Sequence, residues 1–525
     1  MTTTRGDAGA RTGAHVRGTP AVAARASSST LGWVVTLAVT AVGAGLRLPA
    51  LDRPPTLVFD ETYYVKDAWT LVSLGYEAQW PGDKDEVDAA FASGDVDAYS
   101  TEPSYVVHPP VAKLLIGLGM RLVGADTAVG WRIAAALTGV LAVLLVTRVG
   151  MRLLGSVWAG GLAGLLLALD GSAIVHSRTS LLDGFLMVLV LGAFAALLVD
   201  RDVARARLRR LTAPPRAPSR WGPSLGPRPW RLLAGVLLGL AVGTKWSALT
   251  FVAVLGLLTV GWDAAARHAA GARRPVLGAL ARDAAPALVS TVGVGAVAYL
   301  ASWTSWFRSP GAYGRQWAAA HPGEGVTWLP EAMRSLVKYH QDMWGFHTTL
   351  TAEHSYAAHP AGWLLQLRPT SFFYQAPEPA QALCGAERCS QAVTSLGNPL
   401  LWWLATAAVV VCLWWVVRRR DPVAVACLVG LVAGWLPWFA YSERTIFTFY
   451  AVVLLPWLVL SLTYVAQRVL RWGARSPDRL PATRVVVGAA LLAVVAVSLW
   501  FLPLWTGEVI PFRVWQMHMW LPGWV

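Results

Sequence analysis

Apolar runs long enough to cross a bilayer recur through nearly the whole chain, and bursts of arginine separate them. The runs lie near residues 31–49, 129–147, 154–170, 180–199, 285–303, 398–416, 422–441, 446–466 and 485–503. About twenty apolar residues in helical form span the hydrocarbon core, and inside that core every backbone polar group must be paired within the protein. A polytopic bundle of α-helices follows. With hydrophobic residues at 55% of 525 positions and charged ones at only 14%, a soluble domain is excluded.

The arginines set the orientation. Arg148 and Arg152 flank one short connection, nine arginines lie between Arg201 and Arg231, and four between Arg267 and Arg282. Arg418–Arg420 and five arginines from Arg468 to Arg484 complete the set. Placing all of them in the cytoplasm satisfies the positive-inside bias only if the long region 232–262 crosses twice, turning near Lys245. That gives eleven spans, an amino terminus inside and a carboxyl terminus outside. The net charge of +14 is thereby explained without nucleic acid, for which no basic domain studded with aromatics exists. Residues 1–30, polar and bearing Arg5, Arg11, Arg17 and Arg25, read as a disordered cytoplasmic tail ahead of a membrane domain over 31–525.

Two large segments then face outward, 50–128 and 304–397. The first holds thirteen Asp/Glu against five Lys/Arg, an asymmetry that independently supports this topology. Cys384 and Cys389 share an outward polar segment where a disulfide can persist, with their connectivity left open. Cys412 and Cys427 fall within apolar spans and are expected as buried thiols.

Chemistry-bearing residues gather on the outer face. Asp60 and Glu61 open the first outer loop in Phe59-Asp60-Glu61-Thr62-Tyr63-Tyr64, and residues 61–74 predict an interfacial helix with Tyr64, Val65, Ala68, Leu71 and Val72 on one side. Asp60 suits its N-cap and Glu61 a solvated first-turn acid, so both a capping and a chemical role are open to the pair. His108 and Lys113 follow in His108-Pro109-Pro110-Val111-Ala112-Lys113, where closing a loop and snorkelling are the plainer readings. Arg132 lies just inside the second span, where insertion costs roughly 2.5–3.5 kcal/mol, so pairing or function is favoured. Lys245 and Arg444 sit at turns on the same side, at headgroup level. Arg178 and Asp183 are expected to pair with each other across a helix turn.

Acids near a sugar and cations near a phosphate suit glycosyl transfer from a lipid phosphate. A carboxylate takes the proton of the attacking hydroxyl, and Arg or Lys at the membrane boundary binds the phosphate. Other motifs fail. Gly239 to Lys245 lacks the glycine that must precede the lysine of a phosphate-binding loop, because Thr244 stands there. His340, His347, His354 and His359 have no zinc-site spacing, so no metal site is expected. A lipid-phosphate transporter would carry ionisable groups along the middle of several spans, which are nearly free of them here.

Phe59-Asp60-Glu61-Thr62-Tyr63-Tyr64 with Lys66-Asp67-Ala68-Trp69 resembles the first-loop signature of protein O-mannosyltransferases, especially actinobacterial ones. So do His108-Pro109-Pro110 with Lys113, Gly130-Trp131-Arg132, Leu181-Leu182-Asp183, Lys245-Trp246-Ser247, and Trp363 to Ser371 in the later loop. The resemblance implies a GT-C glycosyltransferase fold with extracytoplasmic juxtamembrane helices. It implies Asp60 as base and Glu61 in acceptor or sugar binding. Arg132 would support the site or contact the donor phosphate, and His108, Lys113, Lys245 and Arg444 would serve donor binding. The implied donor is polyprenyl-phosphate mannose and the acceptor Ser/Thr of exported proteins, with inversion at the anomeric carbon. The implied setting is the plasma membrane, with lipids and a secretion translocon as partners and no cofactor; dependence on a divalent metal is left open. The segment 304–397 is too short for the β-trefoil domain of eukaryotic members. A related enzyme moving another lipid-linked sugar to a lipid or glycan is the alternative.

Overall fold

A computed structural model describes residues 28–213, 219–378 and 384–525. The expected amino-terminal tail lies, through residue 27, outside the described residues. Among the described residues, nine helices are long and apolar enough to cross a membrane: Thr30–Arg47, Ala128–Leu154, Leu182–Leu211, Ala248–Ala269, Pro275–Ser302, Pro399–Arg419, Pro422–Tyr441, Thr448–Gly473 and Arg479–Thr506. Counting one bent pair, Val157–Ala168 with Gly171–Arg178 at 61°, as a span brings the described residues to ten, one short of the eleven expected, because the eleventh helix, the apolar Pro229–Val242, is only 14 residues long. The region 232–262 does divide at Lys245: Pro229–Val242 ends, residues 243–247 turn, and Ala248–Ala269 begins.

The bend in the third passage follows from its polar partners. Asp170 caps the second segment through Ala173 N at 3.1 Å and also accepts from Asn398 N and Trp402 Nε1. The carbonyls of Leu167 and Ala168, at the end of the first segment, accept from the fully buried Arg47 at 3.2 and 3.0 Å. A helix can break at membrane depth only where side chains take up the freed backbone groups, and Arg47 and Asp170 do so.

The second segment ends at Arg178, and the next helix starts at Leu182 after an extended connection. Arg178 and Asp183 are therefore not on one helix, and the expected pair does not form. Arg178 instead donates to the carbonyls of Arg47, Pro49 and Ala50, which ties the third passage to the exit of the first.

Outside the spans, the expected helix forms over Glu61–Leu74 and buries Val65, Ala68 and Leu71. It packs against Val111–Val123, where Gly117 admits the Ala68 carbonyl and Val72; a Cβ there would stand 2.7 and 2.4 Å from them. The later loop adds an amphipathic helix, Glu331–Thr349, and a feature that the helical reading did not contain. Strands β1 (Thr370–Gln375), β2 (Cys389–Ser395) and β3 (Val509–Pro511) form an antiparallel sheet in the order β1-β2-β3. β3 follows the last span, so the carboxyl-terminal segment returns to the later loop, where Trp524 Nε1 donates to Gln366 O at 2.7 Å. Cys384 and Cys389 are disulfide-bonded, and Cys412 and Cys427 are buried free thiols.

Candidate active site

Phe59 enters the site with φ of 49° and stacks on Phe372 of β1, with centroids 4.8 Å apart. The left-handed backbone at Phe59 turns the chain so that Asp60 and Glu61, adjacent in sequence, take opposite fates.

Glu61 is fully buried, and both of its oxygens are saturated. Oε1 accepts from Arg132 Nε at 2.9 Å and Ser180 N at 2.8 Å, and Oε2 from Arg132 Nη2 at 2.8 Å and Val58 N at 3.0 Å. Arg132, equally buried, spends its other donors on the carbonyls of Leu51 and Pro54 through Nη1 and Thr56 through Nη2. An arginine has five N–H groups, and all five are occupied. The structure thus corrects two expectations. Glu61 is neither a solvated acid nor a group free to hold a sugar, and Arg132 has no donor left for a phosphate.

Asp60 stands at the start of the same helix, yet its side chain does not cap it; among the described residues its one side-chain hydrogen bond comes from Tyr64 Oη at 3.4 Å. Burial pushes its carboxyl up to about 6, with the neighbouring Asp183 adding to the rise and Lys245 and the Tyr64 hydroxyl opposing it. An acid held near 6 is ionised at neutral pH and still basic enough to accept a proton, the condition for a general base.

Lys245, at the turn between Pro229–Val242 and Ala248–Ala269, places Nζ 2.9 and 3.1 Å from the two oxygens of Asp183 and 3.8 Å from the centroid of the Tyr450 ring. Arg444 donates to His347 Nδ1 at 3.3 Å, while its buried Nε has no hydrogen-bond partner among the described residues. His347 lies on the loop helix Glu331–Thr349, and its Nε2 is 2.7 Å from Val107 O. A carbonyl only accepts, so Nε2 carries the proton and Nδ1 is left to receive Arg444. Burial holds His347 down to about 4, so that tautomer persists at neutral pH. His108 stacks on His347 with centroids 5.1 Å apart; burial first, then Lys245 and its other cationic neighbours, hold it well below the usual histidine range. It therefore meets a ligand as a neutral ring rather than as the cation that phosphate binding suggested.

Lys113 is nearly inaccessible, and its ammonium lies between Glu77 and, at 3.8 Å, Asp67. Its charge is committed to fastening the Glu61–Leu74 helix to the rest of the first loop, which displaces it from the donor-binding set. Among the described residues, no group of three or more His, Cys, Asp or Glu is arranged to hold a metal ion.

Residues 123–264 match the dolichyl-phosphate-mannose-protein mannosyltransferase family, and residues 332–524 match the C-terminal four-transmembrane region of protein O-mannosyltransferase. The polyprenol-phosphate-mannose–protein mannosyltransferase of Mycolicibacterium smegmatis (strain MKD8) is 37% identical over 94% of this chain and 93% of its own. This chain belongs to the protein O-mannosyltransferase family. The namesake from Mycobacterium tuberculosis (strain H37Rv) is also 37% identical, over 94% of this chain and 92% of its own. The S. cerevisiae protein O-mannosyltransferase Pmt1-Pmt2 complex bound to the sugar donor shares the fold at a TM-score of 0.72 and 15% identity, over 96% of this chain and 94% of that one. The protein is thus a multi-pass membrane glycosyltransferase with the GT-C fold.

In this O-mannosyltransferase, Asp60, His108, Lys245 and Arg444 share one neighbourhood, while Glu61, Arg132 and Lys113 build its walls. Sequence reasoning gave Asp183 only a structural pairing with Arg178 and gave His347 no part in the site. An acid in the first turn of an apolar span was the available signal for Asp183. Nothing in the irregular histidine spacing marked His347, whose role comes from where the loop helix lands.

Proposed function

We propose that this mannosyltransferase moves mannose from a polyprenyl-phosphate donor onto Ser/Thr hydroxyls of exported polypeptides, at the extracytoplasmic face of the plasma membrane. The observation that carries the mechanism is the split of the acidic pair: Glu61 is locked by Arg132, and Asp60 alone keeps a reactive carboxylate. In this reading the acceptor O–H gives its proton to Asp60 as its oxygen bonds to the anomeric carbon. The bond from that carbon to the phosphate oxygen breaks, and the electron pair leaves with the phosphate. One displacement inverts the centre, and the partly unspent Arg444 with Lys245 faces the charge that builds on the leaving group. Neutral His108 is suited to a hydrogen bond with the sugar or a phosphate oxygen.

The test is transfer of labelled mannose from polyprenyl-phosphate mannose to a Ser/Thr-rich peptide in membranes holding the full chain. Transfer to that peptide supports the reading, and labelling of a lipid or glycan instead would favour the related enzymes that act on those acceptors. With Asp60 held at about 6, kcat/KM for the peptide should be flat at neutral pH. It should fall tenfold per unit below about 6 as the base protonates. A limb near the ordinary carboxylate range would instead assign the titration to another group.

The reading uses no cofactor. The chain's own cations face the leaving phosphate, so transfer should survive excess chelator at unchanged kcat, and loss of activity restored by a divalent ion would overturn this part. Association with the secretion translocon is the simplest way for an unfolded acceptor to reach a site at the membrane surface, and crosslinking during export would reveal it.

A further inference from the structure

One cation, Lys245, acts electrostatically on Asp60 and is ion-paired with a second acid, Asp183. The ammonium closes on only one of the two acids. Lys245 makes a two-oxygen ion pair with Asp183, and its Nζ also faces the Tyr450 ring. No ion pair joins it to Asp60 among the described residues, although both Lys245 and Asp183 act electrostatically on Asp60. The choice has a physical cause. Asp183 occupies the first turn of the 30-residue helix Leu182–Leu211, where it makes a two-oxygen contact with Lys245. Lys245 and Asp183 are both buried, at 7% and 4% exposure, so water competes little for their contact. The Asp60 carboxylate has, among the described residues, only the long hydrogen bond from Tyr64.

We propose that Asp183 is a positioning residue for the transfer, holding the Lys245 ammonium on its own carboxylate and off Asp60, so that Asp60 stays a free base. The proposal rests on Asp60 being that base. Without the Asp183 charge, Lys245 has Asp60 as its neighbouring uncompensated carboxylate, and a carboxylate closed on an ammonium is a poor proton acceptor. The other titratable groups facing Asp60 are the Tyr64 and Tyr450 hydroxyls, and burial holds that of Tyr64 well above its usual range. A role confined to fastening the 243–247 turn to the fourth passage would cost folded protein or turnover, but would leave the base titrating where it does.

The experiment is the pH profile of kcat/KM for a Ser/Thr peptide, at saturating polyprenyl-phosphate mannose, in membranes holding wild type, Asp183→Asn, Lys245→Met or both. In Asp183→Asn the acid limb should move down by about 1–3 pH units, as an ion pair within a few ångströms dictates. Turnover at pH 7 should drop at least about tenfold, because the weakened base loses driving force. In Lys245→Met the limb should move up, and adding Lys245→Met to Asp183→Asn should undo the downward shift. An acid limb that stays put in either single variant overturns the proposal. Should Asp183→Asn fail to accumulate, Lys245→Met alone decides, because an unmoved limb there means the ammonium does not act on the base. Wild type that transfers mannose without a limb near 6 would refute the assignment of Asp60, whereas a normal wild-type limb unmoved in the variants refutes only the role of Asp183.

Discussion

Asp60→Asn is expected to lower mannose transfer by about 10²–10⁴-fold, the usual contribution of a general base, while the protein stays folded. The isosteric amide fills the same space and cannot take a proton from the acceptor hydroxyl. Little structure depends on the carboxylate, since it does not cap its helix and makes one long hydrogen bond to Tyr64. Stability should even rise. Burial lifts Asp60 from its ordinary 3.8 to about 6, so the folded state prefers the protonated group. Between those two pH values the unfolded chain has released a proton that the folded one retains. Stability from this group is therefore present below about 4 and lost as pH climbs through about 6. The neutral amide removes that cost at pH 7. Transfer assays at matched membrane abundance, with thermal unfolding in detergent, check both halves. A variant that retains wild-type turnover would move the base elsewhere, and one that is inactive because it is unfolded would say nothing for Asp60.

This split between catalysis and scaffold was half legible in the chain. Spans were readable because hydrocarbon demands long uninterrupted apolar runs, and the break of 232–262 into two helices at Lys245 was readable because that region is too long for one span. The acidic pair was visible as a pair. Nothing in Asp60-Glu61 says which carboxylate is free, because that depends on where Arg132, 71 residues beyond Glu61, projects its guanidinium. The pairing of Asp183 was misread for a related reason. Asp183 lies five positions beyond Arg178, little more than one helical turn, but the helix breaks between them and each charge finds a partner far along the chain. β3 escaped notice because a three-residue strand has no alternation to read. Long-range partners, rather than local pattern, decided every one of these points.

Arg132→Leu should be the most damaging single change around the first loop, through structure rather than chemistry. It strands the buried Glu61 carboxylate with only the Val58 and Ser180 amides for company. It also leaves the carbonyls of Leu51, Pro54 and Thr56 without the donor they share. Removing one partner of a buried ion pair costs about 3–5 kcal/mol, because the remaining charge is left uncompensated. Arg132→Lys should rescue little, since a lysine has three donors and no planar fork to meet two carboxylate oxygens and three carbonyls at once. Glu61→Gln added to Arg132→Leu should recover part of the loss by removing the stranded charge, though not all of it, because the carbonyls stay unpaired. Residues 51–61 would no longer be pinned to the second span, and Asp60 moves with them, so transfer should disappear together with the folded first loop. Thermal unfolding in detergent and limited proteolysis between residues 50 and 60 separate this variant from Asp60→Asn, which should resist both. An Arg132→Leu protein that unfolds at the wild-type temperature would show that the guanidinium is not what holds the loop, and would return Arg132 to the donor phosphate.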